Sequence, residues 1–212
     1  EYSEEYKDYI RSQLDVKLAG FPLEEAAVLV HVPQVPLDLL EYEVARNRGY
    51  FAYPPQGLLY LSATFGLLSL DTRIADLNLA VLKESQHEHP NLEKAWHASL
   101  EEALEPYSKP FVCISFMFDL TFPQLKEVCD YIRSTRAGLC IGIGGVSATA
   151  DPERLLNEGL ADLVFSHEGE RTLESLYNYL RIPESELPVN LSFLDVEGNL
   201  VQTSVETAGE VD

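Results

Sequence analysis

Phe111-Val-Cys-Ile-Ser-Phe116, then Thr121-Phe-Pro-Gln124-Leu125, then Leu139-Cys-Ile-Gly-Ile143 followed by Gly144-Gly145, is the stretch that decides the fold. The two outer runs are short, bounded by turn formers and apolar on both faces. That is the pattern of strands covered on both sides rather than on one. Between them Leu125, Val128 and Ile132 recur at helical spacing, and Thr121 and Gln124 stand at capping-box spacing ahead of them. Strand, helix, strand is the βαβ unit of a parallel sheet.

Working outward, residues 27–32, 73–77 and 161–166 read as three more strands of the same kind. Pro54 and Pro55 open a helical stretch carrying Leu58, Leu61, Phe65 and Leu68, proline being suited to a helix's first turn. Residues 91–107 carry Leu92, Trp96, Leu100 and Leu104 as a stripe. Asp151-Pro152 reads as cap and first turn of a short helix ended by Gly159, and a last helix covers residues 169–180. The alternation predicts an α/β fold: a doubly wound, five-stranded parallel sheet, flavodoxin-like or Rossmann-like, in order 2-1-3-4-5. An N-terminal helix within residues 1–20 and a hairpin over residues 191–204 flank it, with a loose tail after Ser204. We divide the chain into a helical extension (1–25), the α/β domain (26–182) and a hairpin and linker (183–212). Because the sequence opens on Glu1 rather than Met, it reads as a piece of a longer protein.

With 46% hydrophobic residues in 212, a packed core is affordable and disorder is excluded. A formal net charge of −20 and no basic stripe argue against nucleic-acid and anionic-membrane partners. Cys113, Cys129 and Cys140 all lie in apolar runs and fit no metal spacing. They read as reduced core thiols of a cytoplasmic protein.

Ligands of open α/β sheets bind beyond the carboxyl ends of the strands, where strand order reverses. Four connections lie there. The first, residues 33–53, is long for a βα loop and holds Pro33, Gln34, Asn47, Arg48, Tyr50, Phe51 and Tyr53. The second is Ser115-Phe116-Met117-Phe118, where a small hydroxyl leaves room for a ligand. In the third, Gly144-Gly145-Val146-Ser147-Ala-Thr149, paired glycines admit close approach. The fourth is Ser166-His167-Glu168-Gly169-Glu170. Neither a dinucleotide fingerprint nor a phosphate loop is present.

Ser115-Phe116-Met117 and Gly144-Gly145 resemble the Ser-x-Leu and Gly-Gly pair of cobalamin-binding domains, with Met117 in place of Leu. Pro54-Pro-Gln56-Gly57-Leu-Leu-Tyr-Leu resembles the Pro-x-Gly-Leu-x-Tyr-Leu helix start of cobalamin domains fused to radical-SAM enzymes. Gly144 to Thr149 resembles their Gly-Gly-x-x-x-Thr turn. His167-Glu168-Gly169-Glu170-Arg-Thr resembles their Gly-Glu-Gly-Glu-x-Thr segment, with His167 replacing the first Gly.

The resemblance implies cobalamin as cofactor and partner, with the nucleotide tail between the strand ends and the macrocycle against Met117, Phe118 and residues 50–53. Rim amides would be met by Gln34, Asn47, Gln56 and Ser147. It implies a C-terminal radical-SAM domain elsewhere in the parent chain. The iron–sulfur cluster and S-adenosylmethionine would belong to that domain, since no Cys-x-x-x-Cys-x-x-Cys occurs here. The fragment alone is then not catalytic. The Asp-x-His-x-x-Gly motif that puts a histidine under cobalt in other cobalamin domains is absent, so cobalt is expected to have no protein histidine. His31 reads as a strand-end core residue. Gly145→Val is expected to block binding with the fold intact. The alternative is a cofactor-free interaction or regulatory domain of the same fold.

Overall fold

The computed structural model describes residues 2–21, 26–47, 49–50, 52–182 and 184–206. Arg48 and Phe51 of the first loop, and the tail beyond Glu206, lie outside them. Parallel strands β1 (Ala26–His31), β2 (Asp71–Asp76), β3 (Phe111–Ser115), β4 (Ile141–Gly144) and β5 (Leu163–Phe165) stand in order 2-1-3-4-5, as the alternation predicts. The hairpin does more than flank this sheet. Its strands β6 (Leu191–Leu194) and β7 (Leu200–Gln202) add antiparallel to β5 and make the sheet seven-stranded.

Side-chain alternation sorts the strands onto two cores. Val28, Val30, Val112 and Ile114 face one layer, built on α4 (Leu77–Glu84), α5 (Leu92–Leu104), α6 (Phe122–Thr135), the short α7 (Val146–Ala150) and α8 (Pro152–Asn157). Ala27, Leu29, Phe111 and Cys113 face the other, built on α1 (Glu4–Ala19), α3 (Gln56–Leu67) and α9 (Gly169–Arg181). Helix α1 is part of this second core through Ile10, Leu14 and Leu18. The hydroxyl of its Tyr9 donates to Asp195 in the hairpin at 2.5 Å.

Three local details depart from the sequence reading. Helix α4 has no counterpart in it: Asp76 ends β2 and at once caps α4, accepting from the Leu79 amide at 2.9 Å. The Thr121–Gln124 capping box does not form. Thr121 donates instead to the Phe118 carbonyl, and Gln124 is buried with its Oε1 unpartnered among the described residues. The long first loop is partly helical, with a 3-10 turn at Leu37–Leu39 and the short helix α2 (Tyr42–Arg46). The Asp151 cap does form, accepting from the Arg154 amide at 3.2 Å.

Candidate functional site

Parallel registers align one residue from each strand along the carboxyl edge of the sheet. Asp76 stands beside His31, His31 beside Ser115, Ser115 beside Gly144 and Gly144 beside Phe165. Strand order reverses between β1 and β3, the point where doubly wound sheets open a crevice.

Two adjoining clefts occupy that point. One, of about 180 Å³, lies over β3, β4 and β5, with Cys113, Ser115, Gly142 and Gly144 as its floor and Leu61, Phe165 and Leu173 as its walls. The other, of about 370 Å³, lies over β1 and the first loop, bordered by His31, Gln34, Tyr53, Pro54, Pro55 and Gln56. Gly57, Leu58, Ser115 and Met117 border both, so the pair forms one crevice. It is apolar below, with polar groups at intervals along the rim, as small-molecule sites usually are.

The glycines at the crevice differ in what holds them. Gly145 has φ +118°, and a Cβ there would lie 2.5 Å from the Phe116 carbonyl oxygen. Its requirement comes from the turn itself, so Gly145→Val would not leave the fold intact as expected from sequence. A Cβ on Gly142 would meet the Phe165 and Phe111 rings at 2.5 and 2.9 Å. Gly144 is different: a Cβ would make ordinary contact with Phe165 at 3.4 Å. Around Gly57, on exposed helix surface, a Cβ would meet nothing within 4 Å. The apo fold has no packing reason for glycine at these two positions.

Of the residues singled out from sequence, Gln34, Gln56, Gly57, Ser115, Met117, Gly144, Gly145, Glu168, Gly169 and Glu170 border the crevice. Others support it from behind. The Ser147 hydroxyl donates to the Met117 carbonyl at 3.1 Å, and Thr149 Oγ1 accepts from the His167 amide at 3.1 Å, tying two loops together. Pro33 and Phe116 are buried, Phe116 packing beside Phe122. Phe118 and Val146 are exposed beyond the crevice at 53% and 66%, which leaves apolar surface free around its mouth. Tyr50 and Asn47 serve their own loop: the Tyr50 hydroxyl accepts from the Glu41 amide, and Asn47 Nδ2 donates to the Glu43 carbonyl.

Sequence reasoning missed Leu58, Leu61, Phe165 and Leu173 as walls, because core side chains carry no local signal of lining a cavity. It also undervalued His31 and His167. His31 is buried and borders the second cleft, its Nδ1 3.1 Å from Asp76 Oδ1 and its Nε2 2.9 Å from Gln34 Nε2. His167 borders the first cleft at φ +58°, a left-handed conformation. The family pattern, with Gly at this place, was a signal for that conformation. Burial raises the Cys129 thiol to about 12 and pushes Cys113 and Cys140 upward as well. All three are free thiols, protonated and hence weak ligands for a metal. No cluster of metal-ligating side chains occurs among the described residues, and none of their helices is long and apolar enough to cross a membrane.

The model of the B12 binding domain matches residues 43–177, more than half of the chain. No curated protein matches. Among solved structures, the cobalamin-dependent S-adenosylmethionine radical enzyme OxsB, with aqua-cobalamin and S-adenosylmethionine bound, is similar at 19% identity and a TM-score of 0.57. The likeness covers 87% of this chain and 23% of that one. The radical S-adenosylmethionine methyltransferase TsrM from Kitasatospora setae, with tryptophan substrate and a SAM analog bound, is similar at 14% identity and a TM-score of 0.56, over 85% of this chain and 30% of that one. The chain thus spans under a third of either protein. At these identities the likeness establishes the shared fold.

Proposed function

The chain belongs to the B12-binding domain family, and from that premise we propose that it holds cobalamin in the crevice at the carboxyl edge of its sheet, as the cobalamin module of a radical-SAM enzyme. The observation that carries this reading is the seam Gly57–Ser115–Gly144. Three residues with little or no side chain border the crevice, and two of them are glycines that packing does not require. A seam of this kind suits the edge of a large, flat ligand.

The fit to cobalamin rests on further features of the same crevice. Its floor is apolar and narrow, suited to a nucleotide tail, and its mouth carries exposed Met117, Phe118, Tyr53 and Val146, suited to a macrocycle. Gln34, Gln56 and the Ser115 hydroxyl offer polar contacts to side-chain amides. Bound cobalamin would supply a carbon-transfer centre, and the chain's own residues would bind it, orient it and exclude water. We read cobalt as lacking a protein histidine. Both ring nitrogens of His31 are engaged inside the protein, and His167 lies over the other cleft. The iron–sulfur cluster and S-adenosylmethionine belong, in this reading, to a separate catalytic domain. Residues 183–212 lead towards it, residues 1–25 extend the domain at its other end, and the isolated fragment does not turn over S-adenosylmethionine.

Titration of the purified chain with aquocobalamin, followed by visible absorbance and gel filtration, tests the proposal. One equivalent co-eluting with the protein is expected. No co-elution at saturating cobalamin overturns the reading and leaves a cofactor-free module of the same fold.

A further inference from the structure

A chain of hydrogen bonds runs from the end of β2 through His31 to the second cleft. Asp76 caps α4 through Oδ1 and, with the same oxygen, faces His31 Nδ1 at 3.1 Å. On the far side of the ring, Nε2 faces the Gln34 side-chain nitrogen at 2.9 Å. An amide nitrogen only donates, so Nε2 accepts and the ring proton sits on Nδ1, where the carboxylate takes it. The two contacts agree on one tautomer. The Gln34 backbone amide is held too, donating to buried Asn78 at 2.9 Å. With its backbone N–H and its side-chain nitrogen both engaged, the polar side-chain atom left to Gln34 is the carbonyl oxygen Oε1. That oxygen makes no hydrogen bond to the described residues, and Gln34 borders the cleft.

We propose that the Asp76–His31 pair is a positioning device that turns the Gln34 amide so that its oxygen faces the ligand, making this point of the site specific for a ligand N–H donor. Resting on the cobalamin reading, it narrows that reading to a corrin whose side chain at this point is a carboxamide. A carboxylate there would face the Gln34 oxygen with no proton to share, and the pair would repel. In this device Asp76 and His31 act through Gln34.

Two measurements test this. Long-range ¹H–¹⁵N correlation of the wild-type chain reads the His31 ring directly and needs no ligand; the Nδ1–H tautomer is expected, and the Nε2–H tautomer overturns the proposal. The second uses hydroxocobalamin and its separated monocarboxylic acids, each with one side-chain amide hydrolysed. Wild type is expected to bind one of these acids at least about tenfold more weakly than the amide form. Gln34→Leu should weaken hydroxocobalamin roughly three- to tenfold and erase that preference. A preference unchanged in Gln34→Leu, or absent in wild type, overturns the proposal. Wild type that binds no corrin at all, with the Nδ1–H tautomer present, locates the failure in the cobalamin reading instead.

Discussion

Gly57 separates what the fold needs from what the ligand needs. It is the second residue of α3, on exposed surface, with nothing within 4 Å of where a Cβ would stand. Glycine inside a helix costs about 0.5–1 kcal/mol relative to alanine, and the first turn takes the lower part of that range. Gly57→Ala should therefore stabilise the apo protein, raising its Tm by about 1–2 °C for a chain of this size. Gly57→Val gains less, because a β-branched residue loses rotamer freedom in a helix, but it should fold as well as the parent. Binding goes the other way. Both clefts meet at Gly57, so an isopropyl group there intrudes on space that a bound macrocycle would fill. Forcing such a group into a packed site costs about 1–3 kcal/mol, a loss of roughly 5- to 150-fold in affinity. Thermal unfolding of the apo variants and absorbance titration with aquocobalamin check the two halves separately. A Gly57→Val protein that binds within twofold of the parent would refute the placement of the ligand. One that unfolds would refute the claim that the position is sterically open.

Three other outcomes are expected. Gly145→Val should cost at least about 2 kcal/mol in chemical denaturation whether or not a ligand is present, because φ +118° and the Phe116 carbonyl both oppose a side chain; a variant as stable as wild type contradicts this. Electron paramagnetic resonance of the Co(II) form should show no nitrogen superhyperfine splitting that disappears in His31→Ala or His167→Ala. Tyr9 donates to Asp195, which also accepts from Asn199 and Glu197, and these bonds lower the Asp195 carboxyl to about 2 while the hydrogen bond to Asp195, burial and the carboxylate's negative charge raise the Tyr9 phenol to about 12. The folded Asp195 value lies below the unfolded one, so its contribution is complete above about pH 4 and is lost as pH falls towards 2. The folded Tyr9 value lies above the unfolded one, so its contribution is complete below about pH 10 and fades towards 12. Denaturation midpoints across pH should show both flanks shrinking in Tyr9→Phe, and unchanged flanks count against the contact.

The five parallel strands and most helices were legible because each carries its own period: buried strands such as Val28–Val30 are apolar throughout, and α5 repeats Leu92, Trp96 and Leu100 along one face. Turn chemistry was legible where one residue decides it, as in the Asp151 cap and the glycine of the Gly144-Gly145 turn. Helix α4 was not, because Asp76 serves as strand end and helix cap at once and leaves no connecting loop to announce it. The capping box at Thr121 failed for a related reason: Gln124 is drawn into the core by the packing of α6, an event outside its local window.

For the site, the sequence by itself determined which residue types stand at the strand ends: Ser115, Gly144, Gly145, and Gly57 at a helix start. Only the tertiary structure decided which of those small residues are free to serve a ligand. That depends on distances to Phe116, Phe165 and Phe111, and strand register rather than sequence spacing sets these. The same holds for His31. As a residue in an apolar run it reads as core, and it is buried. Asp76 becomes its partner only because β1 and β2 pair in parallel, bringing position 31 beside position 76, while Gln34, three residues on, closes the other side of the ring. Periodicity is a local property of the chain, whereas a cleft is made by residues far apart in sequence, so its chemistry appears only when the sheet has closed.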